Sequence, residues 1–182
     1  VLYSAIFVSI LPFLLLYKNG FSLALTANIV GLIGLVLMVW QFVLGNRFIS
    51  AKLRENFVDT VSVHIFLGTY GLLLVFLHPF LQMLSYSQNL AFIFIPSFAD
   101  QFAISVSWGR LAFYLLIVTW VTSAMLRKSM KYRPWLYLHY FNYLIITLVF
   151  LHSYNVGTFI YAVPFLNLYW KFLLGLITIG FV

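Results

Sequence analysis

Four histidines are the residues best suited to chemistry in this chain, and they fall into two pairs. His64 and His78 stand fourteen residues apart in one apolar segment, and His139 and His152 stand thirteen apart in another. Imidazole is a metal ligand and, near neutral pH, a proton carrier. Fourteen helical residues make close to four turns, so His64 and His78 are predicted to share roughly one face, about 21 Å apart along the axis. Thirteen residues leave His139 and His152 about 140° apart on a straight helix, which bending or approach from opposite flanks must absorb. A single membrane histidine often does no more than bond across helices. Four of them, confined to two helices at matched depths, point instead to paired ligands, because ionisable groups inside a bilayer are costly and usually functional.

The elements that carry these residues are set by composition. The 182-residue chain is 64% hydrophobic and 7% charged, with a mean hydropathy of +1.07. A soluble domain carries about 25% charged residues. Ten basic and three acidic side chains cannot solvate so much apolar surface, so this is an integral membrane domain. The absence of cysteine excludes disulfides, iron–sulfur clusters, thiolate-ligated haem and c-type haem attachment within these residues. The first segment lacks a charged leader and a small-residue cleavage site, and is read as a membrane helix instead of a signal peptide. Both ends look trimmed.

Apolar runs of about 20 residues mark spanning helices. The sequence predicts six, at about Val1–Tyr17, Leu23–Leu44, Val58–Leu84, Trp108–Leu126, Trp135–Val156 and Phe159–Val182. Lys18, Asn19 and Gly20 form a tight turn, Ser85 to Ser107 is a long loop with Pro96 and Asp100, and Ser153 to Thr158 is short. Seven of the ten basic residues lie in the second and fourth connections: Arg47, Lys52, Arg54, Arg127, Lys128, Lys131 and Arg133. The positive-inside rule puts these loops, and with them both termini, in the cytoplasm. The net charge of +7 then reflects topology, and no nucleic-acid partner is expected. The same topology orders the histidines by depth. His64 and His139 are inner, and His78 and His152 are outer.

Zinc normally takes three or four convergent ligands, often with cysteine or carboxylate. Two levels about 20 Å apart, each with two histidines, suit no structural zinc site. Iron already held by a porphyrin needs only two axial ligands, and one histidine from each helix supplies them. The fold class expected is therefore all-α, an integral membrane six-helix bundle binding two stacked b-type haems, with His64, His139, His78 and His152 as bis-histidine ligands. Gly68 and Gly71 follow His64 by one and two turns, and either make room for a porphyrin or pack helices, as Gly31 and Gly34 do on the second helix. Pro79 should bend the third helix at the outer ligand. Gln82, one turn beyond His78, reaches toward an outer acceptor or is a polar helix end. Arg110, opening the fourth helix, and Lys171 are candidate partners for anionic haem propionates, although Lys171 could instead snorkel to the interface. Trp108, Trp135 and the helix-end tyrosines fit an interfacial belt.

With these residues in hand, the chain resembles the transmembrane domain of the ferric reductase and NADPH oxidase superfamily. The resemblance rests on His64-x13-His78 and His139-x12-His152. To these it adds Gly109-Arg110-Leu111, Trp135-x3-His139-x3-Tyr143 and Leu151-His152-Ser153. It covers all six predicted helices, residues 1–182. It implies a multi-pass cell-membrane protein with two haems, and a cytosolic flavin dehydrogenase domain, holding FAD and NAD(P)H, after residue 182 or on a partner. Electrons would pass from NAD(P)H through FAD and the two haems to an external acceptor. The family's two main acceptors are oxygen, giving superoxide, and ferric iron, giving ferrous. Eukaryotic oxidases of the family carry a histidine where Gln82 stands, an arginine on the second helix and an aromatic residue where Ile145 stands. The chain therefore resembles a prokaryotic oxidase or a ferric reductase more than a eukaryotic oxidase. Two alternatives fit the same residues, a quinone-linked cytochrome b and a proton or metal transporter with histidine relays.

Overall fold

The computed structural model describes residues 2–46 and 57–181, and all the regular structure in them is helical. The basic residues Arg47, Lys52 and Arg54 of the second connection lie outside the described residues. In chain order the helices are α1 (Leu2–Leu14), α2 (Leu23–Gly45), α3 (residues 57–85), α4 (Ala91–Phe94), α5 (Gln101–Met125), α6 (Tyr132–Val156), α7 (Thr158–Ala162) and α8 (Pro164–Phe181). Among the described residues, four helices are long and apolar enough to cross a membrane: α2, α3, α5 and α6. Two shorter apolar helices, Leu2–Tyr17 and Pro164–Gly180, stand where the first and sixth spans were expected. Helices suit this setting because each satisfies its own backbone groups where no water can.

Three features differ from the sequence reading. The fourth helix begins at Gln101, not Trp108, because Asp100 caps it and its carboxylate accepts from the Ala103 N–H at 2.7 Å. Arg110 therefore lies within α5 instead of opening it. The last apolar stretch is divided at Val163, since Pro164 disfavours the helical conformation in the residue before it. Finally, α3 contains a π turn at Leu67–Gly71, between the α-helical stretches Phe57–Phe66 and Leu72–Ser85. A π turn inserts one residue into the α repeat, so the fourteen residues from His64 to His78 count as about thirteen α-helical steps. Even with that insertion, both histidines of α3 turn toward α2. The two intervals are alike.

The chain forms two compact units, Val1–Ile93 with Phe159–Val182, and Phe94–Thr158. In the first, α2 is the spine against which α1, α3 and α8 pack. Ser22 caps α2 by accepting from the Leu25 N–H at 3.0 Å. Gly20, at φ 103°, makes the preceding turn that a side chain would strain. Leu2, Ile6, Leu37, Leu44, Val63 and Leu67 form a buried cluster joining α1, α2 and α3. Ser9 ties three helices together. Its hydroxyl accepts from Trp40 Nε1 at 3.0 Å, and its carbonyl accepts from the Tyr169 hydroxyl at 2.8 Å. At the C-terminal end of α2, Asn46 Nδ2 donates to the Gly180 carbonyl at 2.8 Å.

In the second unit α5 packs along α6. Ser105, Ser107, Thr119 and Thr122 of α5 are buried. Ser105, Thr119 and Thr122 return their hydroxyls to carbonyls three or four residues back, as an apolar setting requires. Ile145 and Ile146 of α6 are fully buried. A turn at Tyr140 divides α6 into Tyr132–His139 and Phe141–Val156. In both units large apolar side chains such as Phe7, Phe98 and Leu168 are exposed, as on a surface that meets lipid.

Candidate metal centre

Each unit holds two histidines, and in three of the four rings Nδ1 meets a backbone carbonyl of a neighbouring helix. His64 and His78 on α3 both face α2. Their Nδ1 atoms lie 3.2 Å from the Gln41 carbonyl and 2.9 Å from the Ala27 carbonyl. In the second unit His152 Nδ1 on α6 lies 3.0 Å from the Ser105 carbonyl of α5. A carbonyl can only accept, so Nδ1 carries the proton in these rings, and the neutral imidazole's lone pair sits on Nε2. Ligating histidines are characteristically oriented this way, with the second nitrogen held by an acceptor outside the coordination sphere.

His139 is held differently. Its Nδ1 lies 3.2 Å from Ser123 Oγ and 3.4 Å from Asn142 Nδ2. Ser123 Oγ also accepts from Trp135 Nε1 at 3.2 Å, and Asn142 Nδ2 donates to the His139 carbonyl at 2.8 Å. The Trp135 ring stacks on His139, with centroids 5.0 Å apart and planes at 25°. On Trp135 in turn lies the Arg127 guanidinium, 4.4 Å from the ring centroid. Trp135, which the sequence suggested was an interfacial anchor, is therefore also a neighbour of a candidate ligand.

The other predicted site residues fall as follows. Gln41 and His64 clasp each other, because Gln41 Nε2 donates to the His64 carbonyl at 2.5 Å. Gly68 lies under that amide, where an added Cβ would come within 3.3 Å of Nε2. Gly71 faces Leu37 of α2, where a Cβ would be 3.4 Å from Cδ1. Both glycines thus have a packing role against α2. Gln82 Nε2 donates to Asn28 Oδ1 at 2.8 Å, which ties α3 to α2 beside the outer histidine. Arg110 is buried in α5, and its guanidinium donates to Ser107 Oγ at 3.3 Å. Ser107 is also bonded in both directions to Ser97 of the preceding loop. Lys171 is exposed on α8.

Three further residues, none of them expected as part of the site, touch the histidine rings. Gly31 and Gly109 lie so close that an added Cβ would stand 2.6 Å from His78 Nδ1 and 2.7 Å from His152 Nδ1. Gly45 approaches His64 Cε1 in the same way, at 3.3 Å. The glycines were visible in the sequence, but nothing in it said which rings they met.

Among the described residues no three His, Cys, Asp or Glu side chains converge as a protein-only metal site. Imidazoles whose Nδ1 is held by a backbone carbonyl suit a metal that brings its own equatorial ligands, such as haem iron. The family model described as "Ferric reductase like transmembrane component" matches residues 30–150. That stretch includes His64, His78, His139, Gly31 and Gly109, and it stops two residues short of His152. No curated protein and no solved structure matches the chain significantly.

Proposed function

The chain belongs to the ferric reductase like transmembrane family, and from that premise we propose that it carries electrons across a membrane by means of two b-type haems. The observation that carries the proposal is the carbonyl-held Nδ1 of His64, His78 and His152, the orientation characteristic of histidines that ligate through the other ring nitrogen. In a six-helix bundle, the depth order set by the charged loops assigns His64 and His139 to an inner haem and His78 and His152 to an outer one. Haem bound between two imidazoles supplies a low-spin, one-electron redox centre. The protein's own backbone carbonyls hold three of the four imidazoles in one tautomer. Arg110, buried beside Ser107, is the cation proposed to meet a propionate. The reductant is a cytoplasmic flavin fed by NAD(P)H, and the acceptor is external oxygen or ferric iron.

The test uses proteoliposomes enclosing ferricyanide, with dithionite added outside. The expected result is reduction of the enclosed dye by wild type and its loss in His78→Ala. Reduction no faster than in protein-free liposomes would reject electron transfer across the membrane.

A further inference from the structure

Three histidines in this chain are held by the same two-part device. His78 donates to the Ala27 carbonyl and lies over Gly31, four residues later on α2. His64 donates to the Gln41 carbonyl beside Gly45, again four later. His152, in the other unit, donates to the Ser105 carbonyl and lies over Gly109, four later on α5. Even the clasp on His64 follows the pattern, since Gln41 Nε2 reaches the carbonyl of residue 64 across Gly68.

The geometry of the α-helix explains the interval. The carbonyl of residue i already accepts the N–H of residue i+4, and its second lone pair faces outward. Each Cα–Cβ bond tilts toward the helix N-terminus, so the side chain at i+4 covers the turn in which that carbonyl lies. Only when i+4 is glycine can a flat ring come down and donate to the occupied carbonyl. The distances bear this out, because a Cβ would stand 2.6 Å from His78, 2.7 Å from His152 and 3.3 Å from His64. Gly34, one turn after Gly31 on the same helix, has another role. Its missing Cβ would meet Val75, at 3.0 Å.

We infer that Gly31, Gly109 and Gly45 are positioning residues for the haem ligands, each opening a helix carbonyl that fixes the tautomer and tilt of one imidazole. This rests on the haem-ligand reading above. It also separates the two levels. Both outer ligands, His78 and His152, have carbonyl–glycine seats. The inner level pairs one such seat, at His64, with the side-chain seat of His139 on Ser123.

The test is electron paramagnetic resonance of the purified, haem-loaded protein together with a redox titration. Gly31→Ala and Gly109→Ala should both alter the same one of two low-spin signals and shift the midpoint potential of that haem. Gly45→Ala should alter the other signal more weakly, in keeping with its longer contact. Gly34→Ala should lower thermal stability and leave both signals unchanged. If Gly31→Ala or Gly109→Ala yields no assembled protein, Gly45→Ala carries the test, since His64 need move only a few tenths of an ångström. Unchanged signals in the three seat variants, or an equal change in Gly34→Ala, would overturn the inference. Wild-type protein that takes up no haem would instead reject the reading beneath it.

Discussion

Replacing Gln41 by Ala separates the two halves of the clasp between α2 and α3. The His64 Nδ1 acceptor is the backbone carbonyl of residue 41, so it survives the change. The amide donated to the His64 carbonyl at 2.5 Å is lost. Interhelical polar contacts in membranes average about 0.6 kcal/mol and reach about 1.7 kcal/mol. This contact joins the helical stretch just before the π turn to α2, and its loss should cost an amount within that range. Gly68 supplies the second arm of a double-mutant cycle. In wild type an added Cβ would press on Gln41 Nε2 from 3.3 Å, offsetting the gain of about 0.5–1 kcal/mol that Ala brings to a helix. In the Gln41→Ala background that obstruction is gone. Gly68→Ala should then be neutral or destabilising alone but stabilising by about 0.5–1 kcal/mol in the double variant, with a coupling of roughly 0.6–1.7 kcal/mol. Unfolding in mixed micelles by sodium dodecyl sulfate measures all four corners. Additive effects, within about 0.3 kcal/mol, would refute the claim that Gly68 exists to admit Gln41.

Other residues make separate predictions. Asp100→Ala should cost about 1 kcal/mol and speed amide exchange at Ala103, whereas Asp100→Asn, which keeps a capping oxygen, should cost much less. Ser9→Ala leaves the Trp40 indole N–H without its acceptor and should destabilise by about 1 kcal/mol, with a shift in tryptophan emission. Paired substitution of Gln82 and Asn28 by Leu should cost less than either single change, because each alone leaves an amide without its partner in an apolar setting. Equal or greater loss in the double variant, measured by the same detergent unfolding, would contradict that pairing. Ser123→Ala removes the acceptor of Trp135 Nε1 and should shift tryptophan emission while leaving the packing of α2 on α3 unaffected.

The parts of this account legible in the sequence were those carried by side-chain type and hydropathy. The four histidines, their host segments and the all-helical membrane character follow from apolar runs interrupted by imidazoles. The acceptors for Nδ1 were not legible, because Ala27, Gln41 and Ser105 act through backbone carbonyls that every residue possesses. The glycines four residues later were the only written trace of them. Gly31 and Gly34 looked alike as small packing residues, yet one meets an imidazole and the other a valine. The π turn in α3 has no side-chain signature, although it alters the residue count between His64 and His78. The start of α5 is written in the sequence, since an aspartate such as Asp100 before a run of helix-compatible residues is a capping signal.

Two haems held between histidines are what we propose for this chain. Pyridine haemochrome quantification of the purified protein, paired with its reduced-minus-oxidised spectrum, tests that proposal most directly. About two b-type haems per chain with low-spin bands are expected, falling to about one in His78→Ala and in His152→Ala. A folded, helical protein that stays colourless after haem reconstitution, or one whose haem content ignores both substitutions, would contradict it.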